Sequence, residues 1–130
     1  MRALALLMLC ACGAGQRPHE DLVFDLRTYH EGLRWRRYDQ AADYIDPDDR
    51  VKFLDHREEI DKDLRIDDYE TVRVTLSTGK QEAVVQVKYV WHLDTVGLVH
   101  ETTVEEQWKK LDKGWRLVET THKRGEEMPQ

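Results

Sequence analysis

The chain has 130 residues, of which 20 are Lys or Arg and 26 are Asp or Glu, so its formal net charge is −6. This length accommodates one domain, and the acidic balance lacks the basic surface on which nucleic-acid binding depends, so we expect no nucleic-acid partner. Hydrophobic residues make up 40% of the chain, which is enough for a packed core and excludes extensive disorder.

An apolar run sets the first residues apart from the rest of the chain. Arg2 is followed by an unbroken apolar stretch from Ala3 to Leu9. A helix needs about 20 apolar residues to span a bilayer, so this stretch is too short to cross one. A short apolar run at the beginning of a chain is typical of a secretory signal peptide.

The end of this run, Leu9-Cys10-Ala11-Cys12, resembles the lipobox of bacterial lipoproteins. The resemblance implies a signal peptide over residues 1–11, lipidation of Cys12 and a tether over residues 12–19. Gly13 follows the cysteine, where inner-membrane lipoproteins carry Asp, so the resemblance also implies an outer-membrane anchor on the periplasmic face. The alternatives are an ordinary signal peptide and a chance apolar start. The membrane is therefore a predicted partner, through the lipid on Cys12.

Residues 20–65 are predicted to be helical, because apolar residues recur there every three or four positions. Asp46 and Pro47 predict the start of a third helix, since Asp caps free backbone N–H groups and Pro fits the first turn. The residues expected to be buried are Leu22, Leu26, Tyr29 and Leu33 in the first helix, Tyr38, Ala41, Ala42 and Ile45 in the second, and Val51, Leu54, Ile60 and Leu64 in the third, with Phe53 as a further candidate there.

Residues 66–121 alternate between apolar and polar side chains, which is typical of strands with one buried face. Turn residues at 78–81, 94–97 and 111–114 predict hairpins that join four antiparallel strands. The last strand is predicted to end at Thr121, and residues 122–130 are predicted to form a flexible tail.

One register keeps the apolar residues of these strands on a single face, and a shift of one residue would invert a strand. It pairs Leu76 with Ala83, Leu93 with Leu98, and Lys110 with Trp115 beside the three turns. Further along it pairs Asp68 with Trp91, Glu70 with Tyr89, Trp91 with His100, Tyr89 with Thr102, and Glu106 with Glu119. The last pairing brings two carboxylates together, so it indicates either a functional dyad or a β-bulge, and we favour the bulge.

This order of helices and strands resembles the nuclear-transport-factor-two-like fold, which ketosteroid isomerases and polyketide cyclases share. The resemblance is carried by the helical run at 29–45, the capped helix start at Asp46, and the ending from Glu106-Gln107-Trp108 to Gly114-Trp115-Arg116-Leu117. It implies an α+β domain over residues 20–121, with N-terminal helices packed across a curved four-stranded antiparallel sheet in a cone-shaped, cystatin-like roll. A fold with many functions does not decide an activity.

The predicted register places seven residues where they could line a pocket inside the cone: Asp68, Glu70, Tyr89, Trp91, His100, Thr102 and Glu106. A histidine beside carboxylates in an apolar cleft can act as an acid–base pair. The alternatives are a hydrogen-bonded polar plug that closes the cone, and a solvated rim. We assign no catalytic residue, and the six histidines lack the spacing of a metal site, so neither a metal nor a cofactor is expected.

Two functions remain open. The favoured one is a lipid-anchored periplasmic domain that binds a partner protein or a small apolar ligand in its cone. The alternative is a small isomerase or hydrolase that uses a pocket carboxylate and His100, which would require a cavity of a few hundred Å³ reached by both groups. The charged outer face of the sheet predicts a monomer or a weak dimer.

The segment Arg34-Trp35-Arg36-Arg37 is a basic and aromatic cluster in an otherwise acidic chain. It could contact anionic lipid headgroups near the predicted anchor. Salt bridges to acidic residues of the third helix, with Trp35 packed, are the more common role of such a cluster.

Overall fold

The computed structural model of the chain describes residues 18–130, and the predicted signal peptide and lipidation site at Cys12 lie outside them. The elements are α1 (Pro18–Arg34), α2 (Tyr38–Ala42), α3 (Arg50–Ile60), β1 (Leu64–Leu76), β2 (Glu82–Leu93), β3 (His100–Leu111) and β4 (Gly114–Gly125). The strands form one antiparallel sheet in the order β1-β2-β3-β4. Within the described range, no helix is both long enough and apolar enough to span a bilayer. The α+β fold class predicted from the sequence is confirmed.

The first helix packs its apolar stripe against the inward face of the sheet. Leu22, Leu26, Tyr29 and Leu33 are all buried, as their spacing predicted. The helix ends where Arg36 adopts a left-handed conformation (φ 59°), which lets the Arg37 N–H donate to the Gly32 carbonyl at 2.8 Å. This turn carries the basic and aromatic cluster out of the helix and toward the beginning of β1.

The third helix differs from its prediction. It begins at Arg50, and the Asp46 side chain instead accepts a hydrogen bond from the Asp48 N–H at 3.0 Å in the preceding turn. Val51 is 69% exposed, whereas Arg57 is only 6% exposed. The inward stripe runs through Phe53, Arg57 and Ile60, and a prediction that places every charged residue outside misses Arg57.

The predicted register is correct beside the first and last turns and fails beyond the bulges. Leu76 pairs with Ala83, as expected, but β1 bulges between Thr71 and Arg73 and again between Ile66 and Asp68. Each bulge inserts one unpaired residue and so reverses which side chains face inward. Asp68 therefore pairs with Val90 and Glu70 with Lys88, and the predicted pairings of Asp68 with Trp91 and Glu70 with Tyr89 are wrong.

In the other hairpins, the pairings of Trp91 with His100 and of Tyr89 with Thr102 are confirmed. Leu98 is 60% exposed and precedes β3, so its predicted pairing with Leu93 does not form. A bulge at Gln107/Trp108 places Glu106 opposite Thr120, which removes the predicted contact with Glu119 and confirms that a bulge lies there.

The last residues pack onto the domain instead of leaving it at Thr121. Strand β4 continues to Gly125, and Met128 is 3% exposed within the hydrophobic core. Thr102 Oγ1 donates to the Glu126 carbonyl, and the His56 ring bonds to the Gln130 carbonyl. Residues 122–130 therefore cover one end of the cone, by which we mean the space between the helices and the inward face of the sheet.

Candidate functional site

A cluster of polar side chains lies inside the cone around the Glu106 carboxylate. His30 Nε2 lies 2.7 Å from Glu106 Oε1 and 3.1 Å from Oε2. The Tyr89 hydroxyl donates to Oε1 at 3.3 Å, and the Trp108 indole N–H donates to Oε2 at 2.9 Å. We call these four residues the Glu106 cluster. Glu106 and Tyr89 were predicted from the sequence to lie in the cone, whereas His30 was not singled out.

Each member is positioned by a regular element. His30 follows Tyr29 on the buried stripe of α1, four residues after Leu26 and three before Leu33. Tyr89 alternates inward on β2, and Glu106 and Trp108 do so on β3. The helical spacing of His30 was the available signal, because it continues the same apolar stripe.

The hydrogen-bond donors around Glu106 show that its carboxylate acts as an acceptor. An indole N–H can only donate, so Oε2 accepts from Trp108, and Glu106 in its ionised form has acceptor sites at both oxygens and no proton to donate. His30 Nε2 then donates, and His30 Nδ1 has no hydrogen-bond partner among the described residues. Burial, followed by the negative charge of Glu106, raises the pKa of Tyr89 well above its usual value, so its hydroxyl keeps the proton that it donates.

Aromatic rings enclose the cluster. The ring centroids of Tyr29, Tyr69 and Tyr89 lie 5.3, 5.2 and 6.0 Å from that of His30. Tyr29 also meets Trp108 edge-on at 5.4 Å. His30 is 0% exposed and Glu106 is 1% exposed, so both side chains are shielded from solvent.

A second charged side chain is buried beside this cluster. The guanidinium of Arg57 lies over the Phe53 ring at 5.3 Å, and its Nε has no hydrogen-bond partner among the described residues. Burial raises the pKa of Tyr29, whereas the positive charge of Arg57 opposes that shift. Arg57 was not predicted as a site residue.

The other sequence candidates do not join Glu106. Trp91 Nε1 donates to Thr102 Oγ1 at 2.7 Å, and the His100 ring packs against Trp91 in a tilted arrangement with centroids 4.7 Å apart. His100 and Glu106 are six residues apart on β3, which is roughly 20 Å along a strand. The structure therefore does not bring together the acid–base pair of the enzymatic alternative.

Asp68 and Glu70 lie outside the cone, contrary to their assignment as pocket residues. The bulge between Thr71 and Arg73 turns both to the surface, where each side chain is 66% exposed. Asp68 pairs with Arg34 at 3.3 Å, and Glu70 pairs with Lys88 at 3.4 Å. Neither carboxylate can act on a ligand inside the cone.

Five cavities of the described domain lie at its surface. None of these five is lined by His30 or Glu106. One cavity of about 220 Å³ lies between the end of α1, α3 and the beginning of β1, and Arg57 lines it. No group of three or more His, Cys, Asp or Glu side chains within residues 18–130 is arranged to hold a metal ion.

The solved structures that resemble the chain share its fold. A ketosteroid isomerase-like protein from Erwinia carotovora atroseptica matches with a TM-score of 0.64 and 13% identity, covering 81% of this chain and 94% of that one. A candidate polyketide cyclase from Xanthomonas campestris pv. campestris matches with a TM-score of 0.61 and 10% identity, covering 82% and 91%. The intermembrane space region of the chloroplast protein ARC6 matches with a TM-score of 0.55 and 14% identity, covering 79% and 94%.

The chain therefore has the nuclear-transport-factor-two-like fold that the sequence resemblance implied. No protein-family model matches it, and no curated protein matches its sequence. Because these identities are low, the likeness concerns the fold, and the function has to be argued from the side chains.

Proposed function

We propose that this domain is a non-catalytic binding module in which the Glu106 cluster is a structural plug that closes the cone. The observation that carries the proposal is that His30, Tyr89 and Trp108 all bond to the buried Glu106 carboxylate. A general base must come within about 3 Å of the proton that it removes. Both carboxylate oxygens are already engaged, and three tyrosine rings surround the His30 ring beside them.

This proposal keeps the binding role expected from the sequence but moves the ligand out of the cone. Titration of the protein with a neutral apolar probe, toluene, tests it in ¹H–¹⁵N spectra. The Trp108 indole signal is expected to remain unchanged, because the cone is filled. Saturable shifts of this signal would reveal a hollow cone, and the proposal would then fail.

We also propose that the domain is held at the outer membrane, on its periplasmic face, by a lipid on Cys12. The support is the apolar run and the lipobox-like segment that ends in Cys12. Pro18 begins the first helix six positions later, so an extended tether would reach about 20 Å from the anchor. The domain would then work close to the bilayer surface.

Membrane fractionation with labelled palmitate tests the anchor. Cys12→Ser is expected to abolish labelling and to release the protein from the membrane fraction. Cys10→Ser is the matched control and should change neither. A Cys12→Ser protein that still carries label, or a Cys10→Ser protein that loses it, would contradict the assignment of the lipidated residue.

We propose a monomer or a weak dimer for the domain, because its outward sheet face carries charged side chains, among them Lys88, Glu101 and Lys109. Desolvating such a face would oppose tight self-association. Light scattering at micromolar concentration should give the monomer mass, and a stable dimer mass would refute this.

A further inference from the structure

One surface cavity has an unusual lining. The cavity of about 220 Å³ at the end of α1, which we call the arginine pocket, is lined by four arginines and no acidic residue, with apolar walls that include Leu33 and Leu64. The arginines are Arg34, Arg36, Arg57 and Arg65. Four cations around one small cavity are unexpected in a chain of net charge −6.

Three of these arginines have acidic partners at the surface. Arg34 Nη1 lies 3.3 Å from Asp68, and Arg65 Nη2 lies 2.8 Å from Asp94. Arg36 lies 3.8 Å from Asp61. Surface ion pairs of this kind contribute little free energy, so an incoming anion can compete for these side chains.

Arg57 is different because it is buried and has no such partner. It is 6% exposed, and no carboxylate of residues 18–130 lies within 4.0 Å of its guanidinium. Its Nε also lacks a hydrogen-bond partner among those residues. A buried guanidinium without an anion is destabilising, whereas a carboxylate or phosphate can accept two of its N–H groups at once.

The dimensions and walls of the pocket limit the ligand. A volume of about 220 Å³ holds roughly seven water-sized groups, which is below the range for drug-sized ligands. The exposed Trp35 and the half-buried Tyr38 stand beside the arginines and offer apolar surface. The chemistry therefore matches one anionic head on a short apolar body.

We propose that the arginine pocket binds a carboxylate or phosphate group carried on a short apolar body, with Arg57 as its principal contact. The inference rests on the proposed binding function and names the chemical class of the ligand. Such an anion belongs either to a free small molecule or to the headgroup of an anionic lipid close to the proposed anchor.

Titration of the full chain carrying Cys12→Ser, followed through the arginine Nε–H and tryptophan indole signals, tests this. Sodium hexanoate and inorganic phosphate are the soluble probes, and hexanamide is the neutral control. Hexanoate should shift the Arg57 Nε–H and Trp35 indole signals, whereas hexanamide should not. A lack of response to hexanoate, phosphate and anionic vesicles alike would overturn the proposal.

Substitutions distinguish binding in the arginine pocket from nonspecific attraction of the anion to positive charge. Arg57→Met should weaken hexanoate binding roughly tenfold, and Arg57→Lys, which keeps the charge but loses the planar fork, by about fivefold. Arg73→Gln removes an exposed arginine outside the pocket and should leave affinity unchanged. If Arg57→Met does not fold, Arg65→Gln at the rim should still weaken binding about threefold. Equal losses in Arg73→Gln and the pocket variants would refute the assignment.

Vesicles distinguish the two sources of the anion. Binding of the Cys12→Ser chain to phosphatidylglycerol vesicles but not to phosphatidylcholine vesicles, lost in Arg57→Met, would identify a lipid headgroup. Binding of hexanoate without vesicle binding would identify a free small molecule. If hexanoate instead shifts the Trp108 indole, the cone is open and the proposed function fails. If nothing binds while that indole is unaffected, only the arginine-pocket inference fails.

Discussion

Replacing Glu106 with Gln tests the structural plug, because it removes the charge of the carboxylate and keeps its size. The amide oxygen can still accept hydrogen bonds, but the amide nitrogen can only donate. If that nitrogen takes the place of Oε2, it faces the Trp108 indole N–H, which donates at 2.9 Å in the intact protein. If it takes the place of Oε1, it faces His30 Nε2, whose N–H lies against that oxygen at 2.7 Å in the intact protein.

Either orientation breaks one hydrogen bond to a charged acceptor, which contributes about 1.5–3 kcal/mol. It also leaves donors unpaired at a site that is 1% exposed, at a cost of about 1–3 kcal/mol. We therefore expect Glu106→Gln to lower the free energy of unfolding by about 3 kcal/mol, within the range for breaking a buried charged pair. For a domain of this size that corresponds to a fall in Tm of roughly 10–20 °C.

Urea unfolding followed by tryptophan fluorescence measures this loss. Glu119→Gln is the matched control, because Glu119 is exposed on the neighbouring strand and should lose less than about 0.5 kcal/mol. A stabilised Glu106→Gln protein, as expected where a strained active-site group is removed, would refute the plug and favour a functional carboxylate.

The remaining predictions concern pH and backbone. Burial raises the pKa of all five tyrosines, that of Tyr69 to about 12. Absorbance at alkaline pH should therefore show tyrosinate only as the protein unfolds. Tyrosines that titrate in the native state near pH 10 would contradict this. A hydrogen bond to Asp67 raises the pKa of His92, so this group stabilises the fold below about pH 6.5 and progressively less above it. The Tm of His92→Gln should therefore fall below that of the parent protein at about pH 5 and match it at about pH 9, and a deficit that grows with pH would reverse the sign of the argument. Gly125 has a φ of +83°, and a Cβ there would collide with the Glu101 carbonyl oxygen, so Gly125→Ala should cost about 1–3 kcal/mol in urea unfolding. Gly79→Ala, which meets nothing within 4 Å, should cost little, and equal losses would show that the collision is not the cause.

The sequence predicts the parts of the fold that depend on local periodicity and turn chemistry. The stripe from Leu22 to Leu33 and the pairings of Leu76 with Ala83 and of Lys110 with Trp115 are all confirmed. These features depend on residues close together in the chain. Beyond the bulges the prediction fails, because an alternating pattern does not reveal where one strand takes in an extra residue.

The wrong register in β1 led to two wrong site assignments. The bulge between Thr71 and Arg73 turned Asp68 and Glu70 outward, whereas β2 and β3 pair without interruption and keep Tyr89 and Glu106 inside the cone. Each site residue was therefore placed correctly only where the register of its own strand was predicted correctly.

The missed residues have a different cause. His30 and Glu106 are 76 positions apart in the chain, so no local motif links them. Arg57 is charged, and a hydrophobicity pattern places such a residue at the surface. Helical spacing alone could have placed both on buried stripes, since His30 stands four residues after Leu26 and Arg57 four after Phe53.

Hydrogen exchange of the Trp108 indole N–H tests most directly whether the cone is closed. This indole is 1% exposed and donates to Glu106, whereas Trp35 is 56% exposed and serves as the internal reference. A closed cone predicts that Trp108 exchanges only through global unfolding, with an opening free energy equal to that from urea unfolding. Exchange of Trp108 as fast as that of Trp35 would mean that water reaches the Glu106 carboxylate, and would contradict the account.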